Sequence, residues 1–215
     1  MSDRGILLSR TRGARRRAAN LALAGLVLLV GGAGCVKHVS RIDPNSVTDL
    51  SGRWNDTDSR LVANALIDQN LQNPWAKVYM DQHGGEAPAV IVGSFRNETM
   101  EHIPVNTFIG DLERAFINSG MVRLVASPEE RQEVRTERQD QQENARADTR
   151  ARMAQELGAR YMLQGQIQSI EDEEGREKVV YYQVDATLID LESNVKVWAG
   201  QHKIKKYIER PRIGW

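Results

Sequence analysis

Apolar residues recur along the chain with two periods, one typical of helices and one typical of strands. The first helical segment can be capped by Thr57 or Asp58, and Pro74 ends it. Its apolar positions are Leu61, Val62, Ala65, Leu66 and Leu71. A second amphipathic segment, residues 108–117, ends at Gly120, because glycine adopts the left-handed conformation at little cost. These patterns predict two helices that each bury one face.

A third helical segment, residues 129–158, is highly charged and changes character along its length. In its first half like charges recur at i, i+4 spacing, as in Arg131 and Arg135, and this spacing destabilises a helix. In its second half Asp148 and Arg152 form a favourable pair, and several apolar residues can dock. These residues are Ala147, Ala151, Met153, Ala154 and Leu157. We expect the first half to be mobile or to face a partner, and the second half to pack.

Five segments have the pattern of β-strands. Residues 89–92 are apolar on both faces, which is typical of a buried central strand, and residues 121–125 form a second strand. Residues 161–168 and 179–188 alternate between a packed and a solvated face. The packed face comprises Tyr161, Leu163, Gly165 and Ile167, followed by Val180, Tyr182, Val184, Ala186 and Leu188.

The last strand follows a turn at residues 190–194 and completes a β-hairpin. In this strand Val195, Val197 and Ala199 share one face, and Trp198 lies on the other. The order of elements predicts an α/β (α+β) two-layer sandwich. Its mixed sheet has about five strands, ends in a C-terminal antiparallel hairpin and is packed by three helices.

The N-terminal region has the order of a secretory signal. Six arginines precede the apolar run 21–30, which is too short to span a bilayer and ends in small residues. Ala33-Gly34-Cys35 resembles the end of a bacterial lipobox, although Gly32 stands where leucine is usual. We therefore predict a signal peptide over 1–34, a lipidated Cys35, a flexible tether over 35–56 and a periplasmic domain over 57–215. The alternatives are an uncleaved signal anchor or a secreted protein with an unrelated cysteine.

Several acyl chains on one N-terminus, such as palmitate, hold a protein firmly to a membrane. Because Val36 rather than Asp follows the cysteine, we expect anchoring to the periplasmic face of the outer membrane.

Composition narrows the functional classes. The 215 residues carry 29 basic and 29 acidic side chains, but the signal segment holds six arginines and one aspartate. The mature chain therefore has a net charge of −5, which argues against nucleic-acid binding. A mean hydropathy of −0.50 argues against a polytopic membrane protein, and a single cysteine excludes an internal disulfide.

Linear motifs for catalysis are absent from the sequence. The histidines His38, His83, His102 and His202 are scattered, and no HExxH, P-loop or GxGxxG motif occurs. Residues 172–174 read as a solvated turn rather than a carboxylate pair, and residues 83–86 read as a surface loop rather than a metal site. We predict no enzyme activity, cofactor, metal or small-molecule substrate.

Two basic sets of residues are candidates for partner binding. Arg131, Arg135 and Arg138 lie in the charged helical segment, and Lys203 and Lys205 lie near the C-terminus. The alternative interpretations are a simple solvated helix for the first set and, for the second, an edge strand protected by lysines against edge-to-edge pairing.

Several segments together resemble the LpoB family of penicillin-binding protein activators. They are Arg160-Tyr161-Met162-Leu163-Gln164-Gly165, Tyr181-Tyr182-Gln183-Val184, Leu188-Ile189-Asp190, Lys196-Val197-Trp198, Lys203-Ile204-Lys205-Lys206 and Asp111-Leu112-Glu113-Arg114-Ala115-Phe116 with Asn118-Ser119-Gly120. The resemblance covers roughly residues 89–207. It implies an outer-membrane lipoprotein with a domain like the N-terminal domain of TolB. Such a protein would bind a bifunctional (class A) penicillin-binding protein and stimulate peptidoglycan synthesis.

The tether departs from that family's pattern, because it is short and contains a single proline. Two other functions stay open at this point. One is a structural subunit of an envelope assembly or secretion complex, similar to CsgG- and TolB-like lipoproteins. The other is a periplasmic hydrolase, which would need His83, His102 or His202 to meet a carboxylate in a cleft.

Overall fold

A computed structural model describes residues 38–144 and 156–211. The chain divides into two units, Met1–Pro44 and Asn45–Trp215, and all the helices and strands below belong to the second unit. The helices are α1 (Asp56–Gln72), α2 (Trp75–Gln82), α3 (Val105–Ser119) and α4 (Pro128–Asn144). The strands are β1 (Ala89–Asn97), β2 (Arg123–Leu124), β3 (Tyr161–Glu174), β4 (Glu177–Asp190) and β5 (Lys196–Glu209).

The five strands form one mixed sheet in the order β2-β1-β3-β4-β5. Strand β1 is parallel to both β2 and β3, whereas β3, β4 and β5 form an antiparallel meander. The predicted α+β architecture and the C-terminal hairpin are therefore confirmed. Strand β2 contains only two residues, fewer than the five predicted, although Val122 and Val125 beside it are buried.

One face of the sheet carries the core. Phe108, Leu112 and Phe116 of α3 are fully buried against it, as are Val62 and Leu66 of α1. The predicted packed face of β3 and β4 is confirmed, since its apolar side chains are buried while their neighbours are more exposed. In β5 the core face is the one that carries Trp198, whereas Val195 and Ala199 are exposed. Burying the large indole stabilises the fold more than burying the smaller side chains would.

The described residues contain four helices rather than the three predicted. Helix α2 was missed because only nine residues separate Pro74 from the following glycines. Pro74 ends α1 as expected and also precedes α2. Trp75 then inserts into the core, where its ring lies 5.1 Å from that of Tyr161 and its indole N–H donates to Asn70.

Helix α1 begins two or three residues earlier than predicted, because its N-cap is neither Thr57 nor Asp58. Asn55 is the N-cap and Asp58 is the third helical residue, and each side chain accepts a hydrogen bond from the other's backbone N–H. This reciprocal capping box satisfies two amides that would otherwise lack partners. The prediction that Leu61 lies on the buried face is wrong, because its side chain is 49% exposed and Ala63 and Ile67 are buried instead.

Helix α4 is described only to Asn144, and residues 156–159 are not helical. The predicted continuation of the helix to residue 158 is therefore wrong at its end, and Leu157 is 49% exposed. The predicted docking residues Ala147, Ala151, Met153 and Ala154, and the pair Asp148 and Arg152, lie outside the described residues.

Candidate partner-binding surfaces

The three arginines predicted for partner binding lie on one face of α4. Arg135 donates two hydrogen bonds to the carboxylate of Glu156, at 2.8 and 2.7 Å. Arg138 lies 3.7 Å from the same carboxylate, and Arg131 also contributes an attractive field. The hydrogen bond from Arg135 lowers the pKa of Glu156, and the same bond raises the pKa of Arg135. Three cations therefore share one anion, which leaves this face of α4 electropositive.

The rest of α4 is open to solvent. No side chain within the described helix is buried, and its side chains include the acidic row Glu129, Glu133 and Glu137. A helix that is polar on all sides gains little from packing, and isolated helices of this length are marginal in water. The exposure fits both interpretations of this segment, a simple solvated helix and a partner surface.

The predicted lysines lie on β5, at one edge of the sheet. Lys203 and Lys205 project to the exposed side of β5, and neither forms an ion pair with the described residues. Strand β5 is an edge strand, as predicted, because it pairs only with β4. Lys206 points to the other face and is bound within the domain.

The solvated face of the sheet forms a shallow polar depression that sequence analysis did not single out. Its volume is about 370 Å³, and its lining includes Arg96, Gln166, Asp185 and Lys196. Arg96 donates to Gln166 at 2.9 Å, and Gln183 beside the depression donates to Asp185. Arg96, Gln166 and Asp185 are therefore hydrogen-bonded within this surface, whereas Lys196 forms no ion pair with the described residues.

A partly buried polar cluster joins the segment before α1 to the sheet, and sequence analysis missed it. Lys206 of β5 donates to Asp58 at 2.6 Å, to Asp49 at 2.7 Å and to the carbonyl of Arg53 at 3.1 Å. Burial by itself lowers the pKa of Lys206, but the hydrogen bonds to the two carboxylates outweigh it and raise that pKa. The hydrogen bond from Lys206 correspondingly lowers the pKa of Asp49.

Glu101 is the centre of a second polar contact. Its carboxylate accepts the hydroxyl of Tyr182 at 2.7 Å and the backbone N–H of Trp54 at 3.1 Å. Burial, and then the hydrogen bond to Glu101, raise the pKa of Tyr182 far above its usual range. The tyrosine is therefore a neutral donor at every physiological pH.

The histidines do not assemble a site. His83 stacks on Tyr79 with ring centroids 3.9 Å apart, and His102 is exposed. Glu86, from the loop considered for metal binding, pairs with Arg123 at 2.6 Å. Among residues 38–144 and 156–211, no three His, Cys, Asp or Glu side chains cluster closely enough to hold a metal ion.

The predicted signal segment and Cys35 lie outside the described residues. Of the helices that the structure describes, none has the length and apolar character needed to cross a membrane.

Comparison with known proteins identifies the family. The family model of the peptidoglycan-synthase activator LpoB matches residues 58–204. The LpoB C-terminal domain from Salmonella enterica is 16% identical, with 69% of this chain and 99% of that chain covered and a TM-score of 0.39. The corresponding domain from Escherichia coli is 13% identical, with the same coverage and a TM-score of 0.40.

Lipoprotein GNA1162 from Neisseria meningitidis is 19% identical, with 56% of this chain and 83% of that chain covered and a TM-score of 0.35. No curated relative matches the chain. The family model begins in α1, ends in β5 and covers more than half of the sequence, and on that basis the chain belongs to the LpoB family.

Proposed function

We propose that the protein binds a bifunctional (class A) penicillin-binding protein and stimulates its peptidoglycan synthesis. The observation that carries this proposal is the match of the peptidoglycan-synthase activator family over residues 58–204, which run from α1 into β5. In this proposal Cys35 is lipidated after removal of residues 1–34 and anchors the protein to the periplasmic face of the outer membrane.

The two basic sets supply the proposed contact with the synthase. Lys203 and Lys205 are exposed on β5 and form no ion pair with the described residues. Arg131, Arg135 and Arg138 share a single carboxylate, that of Glu156. Cationic groups at such positions favour binding to an acidic surface on the partner. In the free protein the arginines are paired with Glu156.

The proposed mechanism is a shift of population. If the activator binds the active form of an accessory domain of the synthase more tightly than the inactive form, the active form is favoured by that difference in affinity. The activator then needs no catalytic group of its own, and it contributes only binding energy.

Retention on the immobilised protein tests the proposal. The full-length chain, held in detergent, should retain a class A synthase from an extract of the organism's membranes, and raised salt should weaken that retention. Lys203→Glu should weaken it severalfold. Lys77→Glu, which reverses an exposed charge on α2, is the matched control and should leave it unchanged. Absence of any class A synthase from the retained material, together with an unchanged rate of glycan synthesis, would refute the proposal.

The alternative of a structural subunit predicts a different solution state. A ring-forming or envelope-assembly subunit would sediment as a high-order oligomer, whereas the proposed regulator should sediment as a small species. Sedimentation of the same detergent preparation separates these two functions.

A further inference from the structure

The two edges of the sheet differ in how much free backbone they present. One edge is β2, which contains only two residues. The other edge is β5, which contains 14 residues and pairs only with β4. Among the described residues, the backbone groups of residues 196–205 form no hydrogen bond outside this pairing. The outer side of β5 therefore presents a row of unpaired N–H and C=O groups.

The features that usually protect an edge strand lie at the C-terminal end of β5. Lys206 turns its charge to the core side of the sheet and bonds to Asp58 at 2.6 Å. The segment before α1 passes close to Ile208, since a Cβ at Gly52 would overlap that side chain. We call residues 196–205 the open edge. This stretch contains no proline, and its charged side chains lie on the solvated face of the sheet.

The open edge carries positive charge and no negative charge. Its charged residues are Lys196, Lys203 and Lys205, and all of them are exposed. None of them forms an ion pair with the described residues. Lys203 and Lys205 are two positions apart, so they project from the same face of β5 and lie beside the same stretch of free backbone.

This charge pattern opposes pairing of the open edge with a second copy of the chain. Each copy would contribute Lys196, Lys203 and Lys205 and no carboxylate, and like charges on neighbouring strands are destabilising. An extended segment with acidic residues at alternate positions has the opposite effect. Its carboxylates would lie beside Lys203 and Lys205, while its backbone would complete the hydrogen bonds of the open edge.

We propose that the open edge binds an extended acidic segment of a protein partner, which joins the sheet as an additional strand beside β5. The backbone ladder supplies affinity that does not depend on the partner's sequence, and the lysines select carboxylates at alternate positions. This inference deepens the proposed function and rests on it for the identity of the partner. It states how a synthase would use Lys203 and Lys205, whereas the site is defined by the described residues alone.

A synthetic peptide tests the proposal without any synthase. The probe is a fluorescent peptide of about ten residues in which threonine and glutamate alternate, the length of a long strand. It is titrated with the full-length chain in detergent. The probe should bind saturably, and a peptide of alternating threonine and glutamine should bind at least about fivefold more weakly. Absence of saturable binding of the glutamate peptide would overturn the proposal and would leave synthase activation, which is measured separately, unaffected.

Removal of backbone donors distinguishes an added strand from a contact made by side chains alone. In a strand, alternate N–H groups point to opposite edges, so only one of the two sets can face β5. Two further glutamate peptides carry N-methyl groups, one on its threonines and the other on its glutamates. One of them should lose binding and the other should retain it. Equal affinities of the two methylated peptides would overturn the proposal, because no ladder on one edge would then hold the peptide.

A charge reversal on the protein tests the role of the lysines. Lys205→Glu should weaken binding of the glutamate peptide about fivefold. Lys77→Glu, which reverses an exposed charge on α2, is the matched control and should leave the affinity unchanged. The unfolding midpoint of both variants shows that each is folded. Equal weakening by the two variants would overturn the proposal, because binding would then depend on net charge rather than on the open edge.

Amide hydrogen exchange at single-residue resolution locates the bound peptide. In the free protein the N–H groups of the open edge that face away from β4 should exchange fast, and saturating peptide should slow them at least about tenfold. Binding without this protection would overturn the proposal, because the contact would lie elsewhere. Slow exchange of these groups in the free protein would also overturn it. If that slowing grows with protein concentration, the edge is occupied by a second copy of the chain.

Discussion

Arg160 and Asp190 join the start of β3 to the end of β4 through two hydrogen bonds to one carboxylate oxygen, at 2.8 and 3.2 Å. The other oxygen of Asp190 accepts the backbone N–H groups of Glu192 and Ser193 in the turn that leads to β5. One nearly buried carboxylate therefore fixes the ends of two strands and the hairpin turn.

This arrangement predicts a dependence of stability on pH. Burial alone raises the pKa of Asp190, but the hydrogen bonds from the Ser193 amide and from Arg160 lower it overall. A carboxyl with a lowered folded pKa stabilises the protein fully above its unfolded pKa of about 3.9, and this contribution is lost as the pH falls through the folded value. Asp190→Asn should therefore cost about 1–2 kcal/mol near pH 7, and the difference from the parent should shrink in acid.

Urea unfolding at pH 7 and at pH 3 measures this difference. Glu192→Gln is the matched control, because Glu192 contacts the same arginine but is 73% exposed. It should cost less than about 0.5 kcal/mol at either pH. An Asp190→Asn deficit that does not change between the two pH values would contradict the assigned role.

The hydroxyl of Tyr182 is predicted to stabilise the contact between β4 and the loop before α3. Tyr182→Phe leaves the Glu101 carboxylate with the Trp54 amide as its remaining donor and should cost about 1–2 kcal/mol. Tyr181→Phe removes a hydroxyl from the adjacent, half-buried residue and should cost less than about 0.5 kcal/mol. Thermal unfolding of the two variants checks this ranking. Equal losses of stability would show that the hydrogen bond from Tyr182 to Glu101 does not stabilise the protein more than the Tyr181 hydroxyl does.

Two glycine substitutions should change the stability of the protein in opposite directions. Gly165 lies in β3 under the ring of Phe95, and a Cβ there would overlap both this ring and the carbonyl of Asp185. Gly165→Ala should therefore cost about 1–3 kcal/mol. Gly110 lies in α3 with no atom close to the position of a Cβ, so Gly110→Ala should stabilise the protein by about 0.5–1 kcal/mol. Chemical denaturation measures both, and a stabilising Gly165→Ala would contradict the packing described around β3.

The arginine set of α4 gives a prediction about affinity. If Glu156 competes with an acidic surface of the synthase, Glu156→Gln should strengthen binding severalfold and Arg135→Ala should weaken it. Arg135 is 52% exposed, so its loss should leave the stability of the domain almost unchanged. Binding titrations at two salt concentrations measure these effects. Weaker binding by Glu156→Gln would show that the carboxylate itself contacts the partner.

The sheet was the most predictable part of the molecule. The alternation of apolar and polar residues in β3 and β4 has only one arrangement that buries Leu163 and Tyr182 together, so the packed face follows from the sequence. The side of β5 that faces the core did not follow, because Val197 and Trp198 are both apolar and period alone does not rank them. Helix α2 is too short for its period to be distinguished from that of a loop.

The polar contacts were the least predictable part. The capping box of α1 has a local signal in Asn55 and Asp58, three residues apart, which sequence analysis could have used. The contact between Lys206 and Asp49 has no such signal, because the two residues are separated by 157 positions along the chain. Only the pairing of β5 with β4 and the return of the segment before α1 across β5 bring these two residues together.

Activation of a peptidoglycan synthase is measured as a change in the rate of glycan polymerisation. A purified class A synthase of the organism is supplied with its lipid-linked substrate, and this protein is added in increasing amounts. If the protein is an activator, the rate should rise and reach a plateau when the synthase is saturated. A rate that stays constant at every concentration of the protein would rule out activation.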